Sequence, residues 1–229
     1  MKIEGPLKEA RLVQRISRFS ALVSLEGRLE LVHVPNSGRL GELLTPGRGV
    51  LLRKAGTTFR KTGYDLLMVA LPNGLVAVDA RIPNLLIREA LRKGSIPEFR
   101  GYRLIREEVR WGESRVDFLL EGEGERLLLE VKSVTLVREG VALFPDAPTL
   151  RGTRHLLDLI QAKRSGQGAG VVFVVQRGDA HFFSPNFSTD PAFSEALLKA
   201  AVAGVKVLAY ACKVVRRGVD LNKGLEVAF

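Results

Sequence analysis

The chain has few of the residues that mark several common classes of protein. Its 229 residues include one cysteine, one tryptophan and three histidines. The single Cys212 excludes an internal disulfide framework and a zinc site built from several thiolates. No apolar run approaches the length of a membrane span, so no membrane partner is expected. The first residues lack an apolar signal segment, which predicts a cytoplasmic location.

Acidic residues are also scarce relative to basic ones. The chain holds 35 Lys and Arg against 25 Asp and Glu, for a formal net charge of +10. Residues 1–62 hold 12 basic and 5 acidic residues, net +7, and the remainder holds 23 and 20, net +3. Such an uneven excess favours an anionic partner, with nucleic acid first. We expect DNA, duplex or single-stranded, with RNA as an alternative.

Residues 1–82 read as a small basic β-barrel. Short β-type runs recur there between turn signals rich in Pro, Gly and Asn. The runs are Leu7–Phe19, Ser20–Leu25, Leu29–Val34, Gly49–Arg53, Asp65–Leu71 and Gly74–Asp79. A basic all-β barrel of this size is compatible with an oligonucleotide-binding fold.

The pattern changes in residues 83–229, which read as an α/β domain. Asn84 is positioned to cap a first helix that stops near Gly94. Three strands, a helix from about Gly152 to Ser165, a buried strand, a third helix and a last strand follow. A short apolar tail completes the chain. The prediction is therefore an α+β protein of two domains.

Asp117, Glu130 and Lys132 form the most informative constellation. Two apolar runs joined by a polar turn predict a β-hairpin, and side-chain alternation places Glu130 and Lys132 on the same face. If Asp117 lies across the hairpin, two carboxylates and one ammonium converge. Carboxylates hold Mg²⁺ or Mn²⁺, with the Val131 carbonyl as a third oxygen. The pattern alone also fits a solvated strand edge, but charged groups at the ends of such apolar strands are usually paired or functional.

This order of elements resembles the restriction-endonuclease-like nuclease core, whose motif is written PD-(D/E)xK. The resemblance implies that the first helix supplies another carboxylate, which Glu89 matches, and that a later helix supplies a polar residue, Gln161 or Lys163. Glu89 equally fits an ion pair with Arg92 or Lys93 on a solvated helix face.

Longer strings are similar to those of the sugar fermentation stimulation protein family. They are His33–Leu40, Ser114–Phe118, Glu130–Leu136, Phe144–Leu156, Asp190–Phe193 and Gly204–Val205. The resemblance covers essentially the whole chain. It implies an N-terminal oligonucleotide-binding-type barrel, a C-terminal nuclease-like domain and DNA binding. The family name identifies no reaction.

Two loops offer candidate phosphate contacts. Asn36, Ser37 and Arg39 lie in a turn whose amides, hydroxyl and guanidinium suit a phosphate; an ordinary tight turn explains the string equally well. Thr149 and Arg151 flank a helix start, which attracts anions. For His155, a bond to a neighbouring carboxylate is favoured over a role as a base.

Three functional hypotheses remain open. The first is a sequence-nonspecific DNA-binding protein that also cleaves nucleic acid through a metal-dependent site. The second is a binding or regulatory protein whose nuclease site is vestigial. The third is an RNA-processing nuclease on the same scaffold. Metal binding separates the first two, and competition between DNA and RNA separates the first and third.

Overall fold

Six strands build the first unit, close to the positions that the short β-type runs between turn signals predict. The structure is a computed structural model that describes residues 1–56, 61–122 and 124–229. The strands are Leu7–Ser17 (β1), Ser20–Leu25 (β2), Arg28–His33 (β3), Gly49–Lys54 (β4), Tyr64–Leu71 (β5) and Gly74–Ala77 (β6). They bond in the order β3-β2-β1-β4-β5-β6, and an additional pairing of β3 with β5 closes a barrel. Alternate residues such as Leu12, Val23, Val32 and Leu52 fill its interior.

The remaining elements form an α/β unit. Its helices are Ile82–Lys93 (α1), Leu150–Arg164 (α2) and Pro191–Val202 (α3), with a 3₁₀ turn at Pro97–Phe99. Its strands are Arg103–Trp111 (β7), Ser114–Gly122 (β8), Glu125–Val134 (β9), Val137–Arg138 (β10), Val141–Phe144 (β11), Gly168–Val175 (β12), Phe182–Pro185 (β13), Lys206–Val215 (β14) and Gly218–Val227 (β15). Across the described ranges, no helix combines the length and apolar content that crossing a bilayer requires.

A nine-stranded mixed sheet organises this unit. The strand order is β10-β11-β13-β15-β14-β12-β9-β8-β7, with β9, β12 and β14 parallel and β7, β8 and β9 antiparallel. Every residue of β12 is buried, as expected for a parallel strand covered on both sides. One core cluster contains buried residues of α2 and α3, and another contains those of α1.

The barrel and the α/β unit share a hydrophobic core. Leu67 and Met68 of β5 belong to the same buried cluster as Phe118 and Leu129 of the sheet. The chain start also joins the second unit, because the Met1 amino group donates to the Val219 carbonyl at 2.9 Å. The expected division after residue 82 falls within the first turn of α1.

The start of α1 differs from the sequence-based expectation. The helix begins at Ile82 after Arg81, which makes no side-chain cap, and Pro83 occupies its first turn. The prediction that Asn84 caps the helix is therefore wrong; Asn84 lies inside it, and its amide is free to bond elsewhere. The predicted stop is confirmed, since Gly94 adopts φ 61° in the left-handed region.

Four strands were not anticipated. β10, β11 and β13 have two to four residues each, too short for a periodic signal. β15 replaces the expected apolar tail with ten residues paired to β14. Its sequence is interrupted by glycine, asparagine and lysine, so local pattern does not predict a strand there.

Candidate metal and nucleic-acid site

The β8–β9 hairpin brings Asp117 and Glu130 together as expected. The antiparallel pairing ends at Phe118 and Leu129, and the next residue beyond that pair is Asp117 on β8 and Glu130 on β9. At this end of the hairpin, the Val131 N–H donates to the Asp117 side chain. The hairpin therefore sets two carboxylates side by side at the end of an apolar strand pair.

Two hydrogen bonds fix the Asp117 carboxylate. The backbone N–H of Val131 donates to Oδ2 at 2.7 Å, and the side-chain amide of Asn84 donates to Oδ1 at 2.7 Å. Burial, and next the charge of Glu130, raise the pKa of Asp117 to about 6 against these two donors. A carboxyl held in this way favours a positive charge nearby, because a cation offsets both causes of the raised pKa.

The Glu130 carboxylate is held by one of its two oxygens. Lys132 Nζ and His155 Nδ1 each lie 2.5 Å from Oε1. Although burial opposes the shift, the neighbouring Lys132 and His155 lower the pKa of Glu130, so its carboxylate is charged. The other oxygen, Oε2, is buried and has no hydrogen-bond partner among the described residues. An orphaned carboxylate oxygen is costly unless a cation or water completes it.

His155 on α2 is oriented from both ring nitrogens. Arg151 Nε lies 3.2 Å from His155 Nε2, and an arginine N–H can only donate. Nε2 therefore accepts, and the ring proton sits on Nδ1, where it donates to Glu130. The expectation that His155 bonds a neighbouring carboxylate is confirmed. The sequence analysis offered Arg151 as a phosphate contact. In the structure its guanidinium donates to His155.

The donor set suits a hard cation that keeps part of its water shell. Over residues 1–56, 61–122 and 124–229, no cluster of three or more His, Cys, Asp or Glu side chains forms a metal site. Zinc sites usually use three or four such ligands. Mg²⁺ is commonly held by one or two carboxylates with waters and substrate oxygens. Asp117, the unpartnered oxygen of Glu130 and the Val131 carbonyl fit the second description.

Thr149 caps α2 with its side chain. Its hydroxyl oxygen accepts from the Gly152 N–H at 3.1 Å, and its own N–H donates to Asp190 at 2.7 Å. Asp190 in turn accepts from the Phe193 N–H and so caps α3. The Thr149 side chain, expected at a phosphate, therefore already has a structural use, and the two caps hold the start of α2 beside the site.

Replacing Thr149 by alanine is expected to lower the free energy of unfolding by about 0.5–2 kcal/mol, because one helix-start N–H loses its acceptor. Thr149→Ser keeps the accepting oxygen and is expected to lower the free energy of unfolding much less than Thr149→Ala does. Urea unfolding of the three proteins measures the difference. Wild-type stability of the alanine variant combined with weakened DNA binding would instead assign Thr149 to a phosphate.

The turn at residues 36–39 is fastened to the α2 side of the molecule. Asn36 is buried, donating to the Val78 carbonyl and accepting from the Gly38 N–H, so its amide stabilises the turn itself. Asp146, in the loop before α2, accepts from the Leu40 N–H at 3.1 Å. A Cβ at Gly38 would lie 2.6 Å from that carboxylate, so this close approach requires glycine. Arg15 donates to backbone carbonyls of the same turn.

Of the phosphate candidates in this turn, Ser37 and Arg39 have exposed side chains. The turn therefore presents a hydroxyl and a guanidinium to solvent beside the loop that leads into α2. Asn36 differs from them because its side chain is buried. The sequence alone did not indicate which of the three residues would be buried.

The structure does not bring Glu89 to the carboxylate pair. Its carboxylate lies 2.5 Å from Lys93 Nζ and 3.3 Å from the Met1 amino group. Glu89 is five positions after Asn84, a rotation of about 140° around the helix axis. The alternative, an ion pair on the helix surface, is what the structure shows. Gln161 is exposed and the Lys163 side chain approaches Gly204; the polar residue that α2 supplies to the site is His155.

Comparison with known proteins agrees with this architecture. A model described as the sugar fermentation stimulation protein RE domain matches residues 81–218, and one described as the SfsA N-terminal OB domain matches residues 13–78. The chain belongs to the sugar fermentation stimulation protein family. The predicted fold class, an oligonucleotide-binding-type barrel followed by a restriction-endonuclease-like domain, is confirmed.

Full-length relatives support the assignment. The chain is 44% identical over 228 residues to the sugar fermentation stimulation protein homolog of Clostridium tetani, covering 99% of each chain. It is 50% identical over 216 residues to that of Acetivibrio thermocellus, covering 93% of this chain and 92% of the relative. A solved structure of Pyrococcus furiosus SfsA in complex with Ca²⁺ is 32% identical, with a TM-score of 0.93 over 100% of this chain and 98% of that one.

Proposed function

We propose that the chain is a sequence-nonspecific DNA-binding protein with a metal-dependent phosphodiesterase site at Asp117, Glu130 and Lys132. The buried, unpartnered Oε2 of Glu130 is the observation that carries this proposal. Glu130 lies near the Asp117 carboxyl, whose pKa is raised by burial and, next, by the charge of Glu130. The solved Pyrococcus furiosus relative, described as a complex with Ca²⁺, supports a hard cation in this family.

Asp117, Glu130 and the Val131 carbonyl would hold Mg²⁺ or Mn²⁺. The bound cation would supply an activated water and offset charge on a phosphate. The two donors to Asp117 keep its carboxylate aimed, and His155 and Lys132 keep Glu130 turned so that Oε2 remains available. Outer contacts of this kind orient the groups that bind a metal directly.

Lys132 contributes the fixed positive charge of the site. Its side chain is 12% exposed and that of Glu130 is 4% exposed, so the ammonium acts where water screens it weakly. Such a donor stabilises negative charge that develops on a phosphoryl oxygen. Its contact with Glu130 holds the ammonium in place before substrate binds.

The experiment that tests this function is a cleavage assay over several substrates. The purified protein is incubated with Mg²⁺ or Mn²⁺ and duplex, single-stranded, nicked and flap DNA, and with RNA. Cleavage that requires the cation and is lost in Asp117→Asn supports the proposal. Preferential cutting of RNA would favour the RNA-processing alternative. Failure to cut any substrate, together with failure to bind cation, would leave a DNA-binding protein with a vestigial site.

DNA binding is expected to weaken steeply with salt and to depend little on sequence. Phosphate neutralisation releases counterions, so the affinity falls as salt rises. Arg39→Ala is expected to weaken binding about equally on unrelated sequences and to reduce the salt slope by about 1. Arg164→Ala, another exposed arginine at the far end of α2, is the control. A loss on one sequence alone would contradict the assignment of Arg39 to a phosphate.

A further inference from the structure

Arg81 lies where the chain leaves the barrel and enters α1, one helical turn before Asn84. Its backbone is already helical, with φ −83° and ψ −23°. Residues three apart on a helix are neighbours on its surface, with Cβ atoms about 5–6 Å apart. The Asn84 amide donates to Asp117 Oδ1 at 2.7 Å. Arg81 is therefore the next side chain along this helix face from the contact with Asp117.

Two buried carboxylates hold the Arg81 guanidinium from behind. Nε donates to Asp79 Oδ1 at 2.8 Å, and Nη2 donates to Asp79 Oδ2 at 2.7 Å. Nη2 also donates to Asp65 Oδ2 at 3.3 Å. The Asp79 and Asp65 side chains are 3% and 5% exposed, whereas that of Arg81 is 56% exposed. The negative charges lie below the surface and the positive charge lies at it, where an anion from solvent meets it first.

Within residues 1–56, 61–122 and 124–229, two N–H donors of Arg81 have no hydrogen-bond partner. A guanidinium carries five N–H groups, and the bonds to Asp79 and Asp65 use three of them, at Nε and Nη2. The two on Nη1 remain. The group is planar and already fixed, so little side-chain freedom is lost when an anion binds. An exposed, preorganised pair of N–H groups suits a phosphate.

A clasp between the barrel and α1 is the alternative role for Arg81. Other contacts already secure this junction, since the Ile82 N–H donates to the Asp79 carbonyl at 3.1 Å and the two units share a hydrophobic core. Arg53 lies 3.5 Å from Asp79 and 3.7 Å from Asp65, so it offsets part of their buried charge. A clasp would gain most from a buried guanidinium, because water weakens an exposed ion pair. The exposure of Arg81 therefore favours a ligand.

Arg81 also lies between the metal site and the turn at residues 36–39. The N–H of Ala80, its neighbour in the chain, donates to the Pro35 carbonyl at 3.0 Å, directly before that turn. On the other side, one helical turn leads to the contact with Asp117. A nucleic acid strand that reaches from the turn to the carboxylates would pass the guanidinium.

We infer that Arg81 binds, through Nη1, the backbone phosphate next to the one that is cut. The role depends on the proposed phosphodiesterase site, to which it adds a substrate-binding residue. The neighbouring phosphate keeps the same charge throughout the reaction, so the contact holds the ground state and the transition state alike. Loss of such a contact raises KM and leaves kcat nearly unchanged. Loss of Lys132, which faces developing charge, is expected to lower kcat instead.

The first test is DNA binding, which does not require cleavage. Fluorescence anisotropy with a labelled duplex and Ca²⁺ is measured over a range of salt concentrations. Arg81→Gln is expected to weaken binding about tenfold, as loss of one hydrogen bond to a charged group does, and to reduce the salt slope by about 1. Arg103→Gln is the matched control, because Arg103 is 76% exposed and pairs with Glu121 at 2.6 Å, away from Asp117 on β8.

The second test locates the phosphate. Substrates carry one uncharged methylphosphonate linkage at a known position, and cutting with Mg²⁺ is mapped around it. The wild type and Arg103→Gln are expected to cut less at the linkage beside the uncharged one, on one side only. Arg81→Gln is expected to lose this local reduction, because the contact that the uncharged linkage removes is already absent. A role confined to folding would leave the reduction in place.

Wild-type DNA affinity in Arg81→Gln, together with a lower free energy of unfolding in urea, would assign Arg81 to the clasp and overturn the inference. If Arg81→Gln does not fold, Arg81→Lys decides, because its ammonium can bond the carboxylates but lacks the planar fork: a loss of affinity of at least about threefold supports the phosphate contact, and unchanged affinity overturns it. Weakened binding by Arg81→Gln in a protein that cuts nothing would reject the phosphodiesterase proposal and retain Arg81 as a phosphate contact. Metal-dependent cutting by Arg81→Gln with the KM and cutting pattern of the wild type would reject the role of Arg81 alone.

Discussion

Lys132→Ala is expected to reduce metal-dependent cleavage by about 10²–10³-fold, the loss that follows removal of one preorganised group facing developing charge. The ammonium is largely buried and lies 2.5 Å from Glu130, so bulk water cannot substitute for it. DNA affinity is expected to change little, because most of the positive excess lies in residues 1–62. Single-turnover cleavage at saturating DNA separates these two effects.

The same variant distinguishes catalysis from a simple loss of folding. Removing an ammonium next to the carboxylates reduces repulsion toward a cation, so Ca²⁺ affinity is expected to stay level or rise. Lys132→Met, which keeps the length of the side chain, is expected to behave like Lys132→Ala, and Lys213→Ala at an exposed position is the control. Cleavage that survives in the Lys132 variants would indicate a different site or a contaminating nuclease.

Local sequence patterns predicted most of the fold because most strands carry their own signal. The β1–β6 segments are short β-type runs bounded by turn residues, and the wholly apolar β12 indicates burial on both faces. β11 and β13 lack such a signal, since four residues form a strand there only because β15 offers a neighbouring edge. β15 forms by pairing with β14, and its polar residues give it no strand pattern of its own in the sequence.

The candidate site was predictable to the extent that the hairpin defines it. Strand alternation and register are enough to pair Asp117 with Glu130 and to place Lys132 beside Glu130. The α1 contribution was not predictable, because the entry of the helix decides which residue faces the hairpin. Starting at Ile82 turns Asn84 toward Asp117 and Glu89 toward the chain start. A one-residue rotation, about 100°, would change that choice.

His155 and Arg151 illustrate a second limit. Their spacing of four residues places them on one helix face, which is equally suited to a phosphate or to each other. The Arg151–His155–Glu130 chain of contacts exists because α2 packs against β9. Tertiary packing, which a single sequence does not display, decides between the alternatives.

Asp117→Asn is expected to weaken Ca²⁺ or Mn²⁺ binding by at least about 100-fold, measured by calorimetry. Outer-shell partners of metal ligands are worth about 10–100-fold, so loss of a charged ligand exceeds that range. Asn84→Ala, which removes only a donor to the Asp117 carboxylate, is expected to fall between the wild type and Asp117→Asn. Asp220→Asn alters an exposed carboxylate and is the control. Equal binding by the wild type and Asp117→Asn would place the cation elsewhere.

The pH dependence gives this assignment a second, independent readout. Because the pKa of Asp117 is raised to about 6, its carboxyl is protonated in mildly acidic solution and a cation must displace the proton. Apparent affinity is therefore expected to fall about tenfold per pH unit below that pKa and to level off above it. Calorimetry in buffers of different ionisation enthalpy is expected to show close to one proton released at about pH 5 and almost none at about pH 7.5. An affinity that keeps rising well above neutral pH would mean that some other group competes with the cation, because Asp117 is already ionised there.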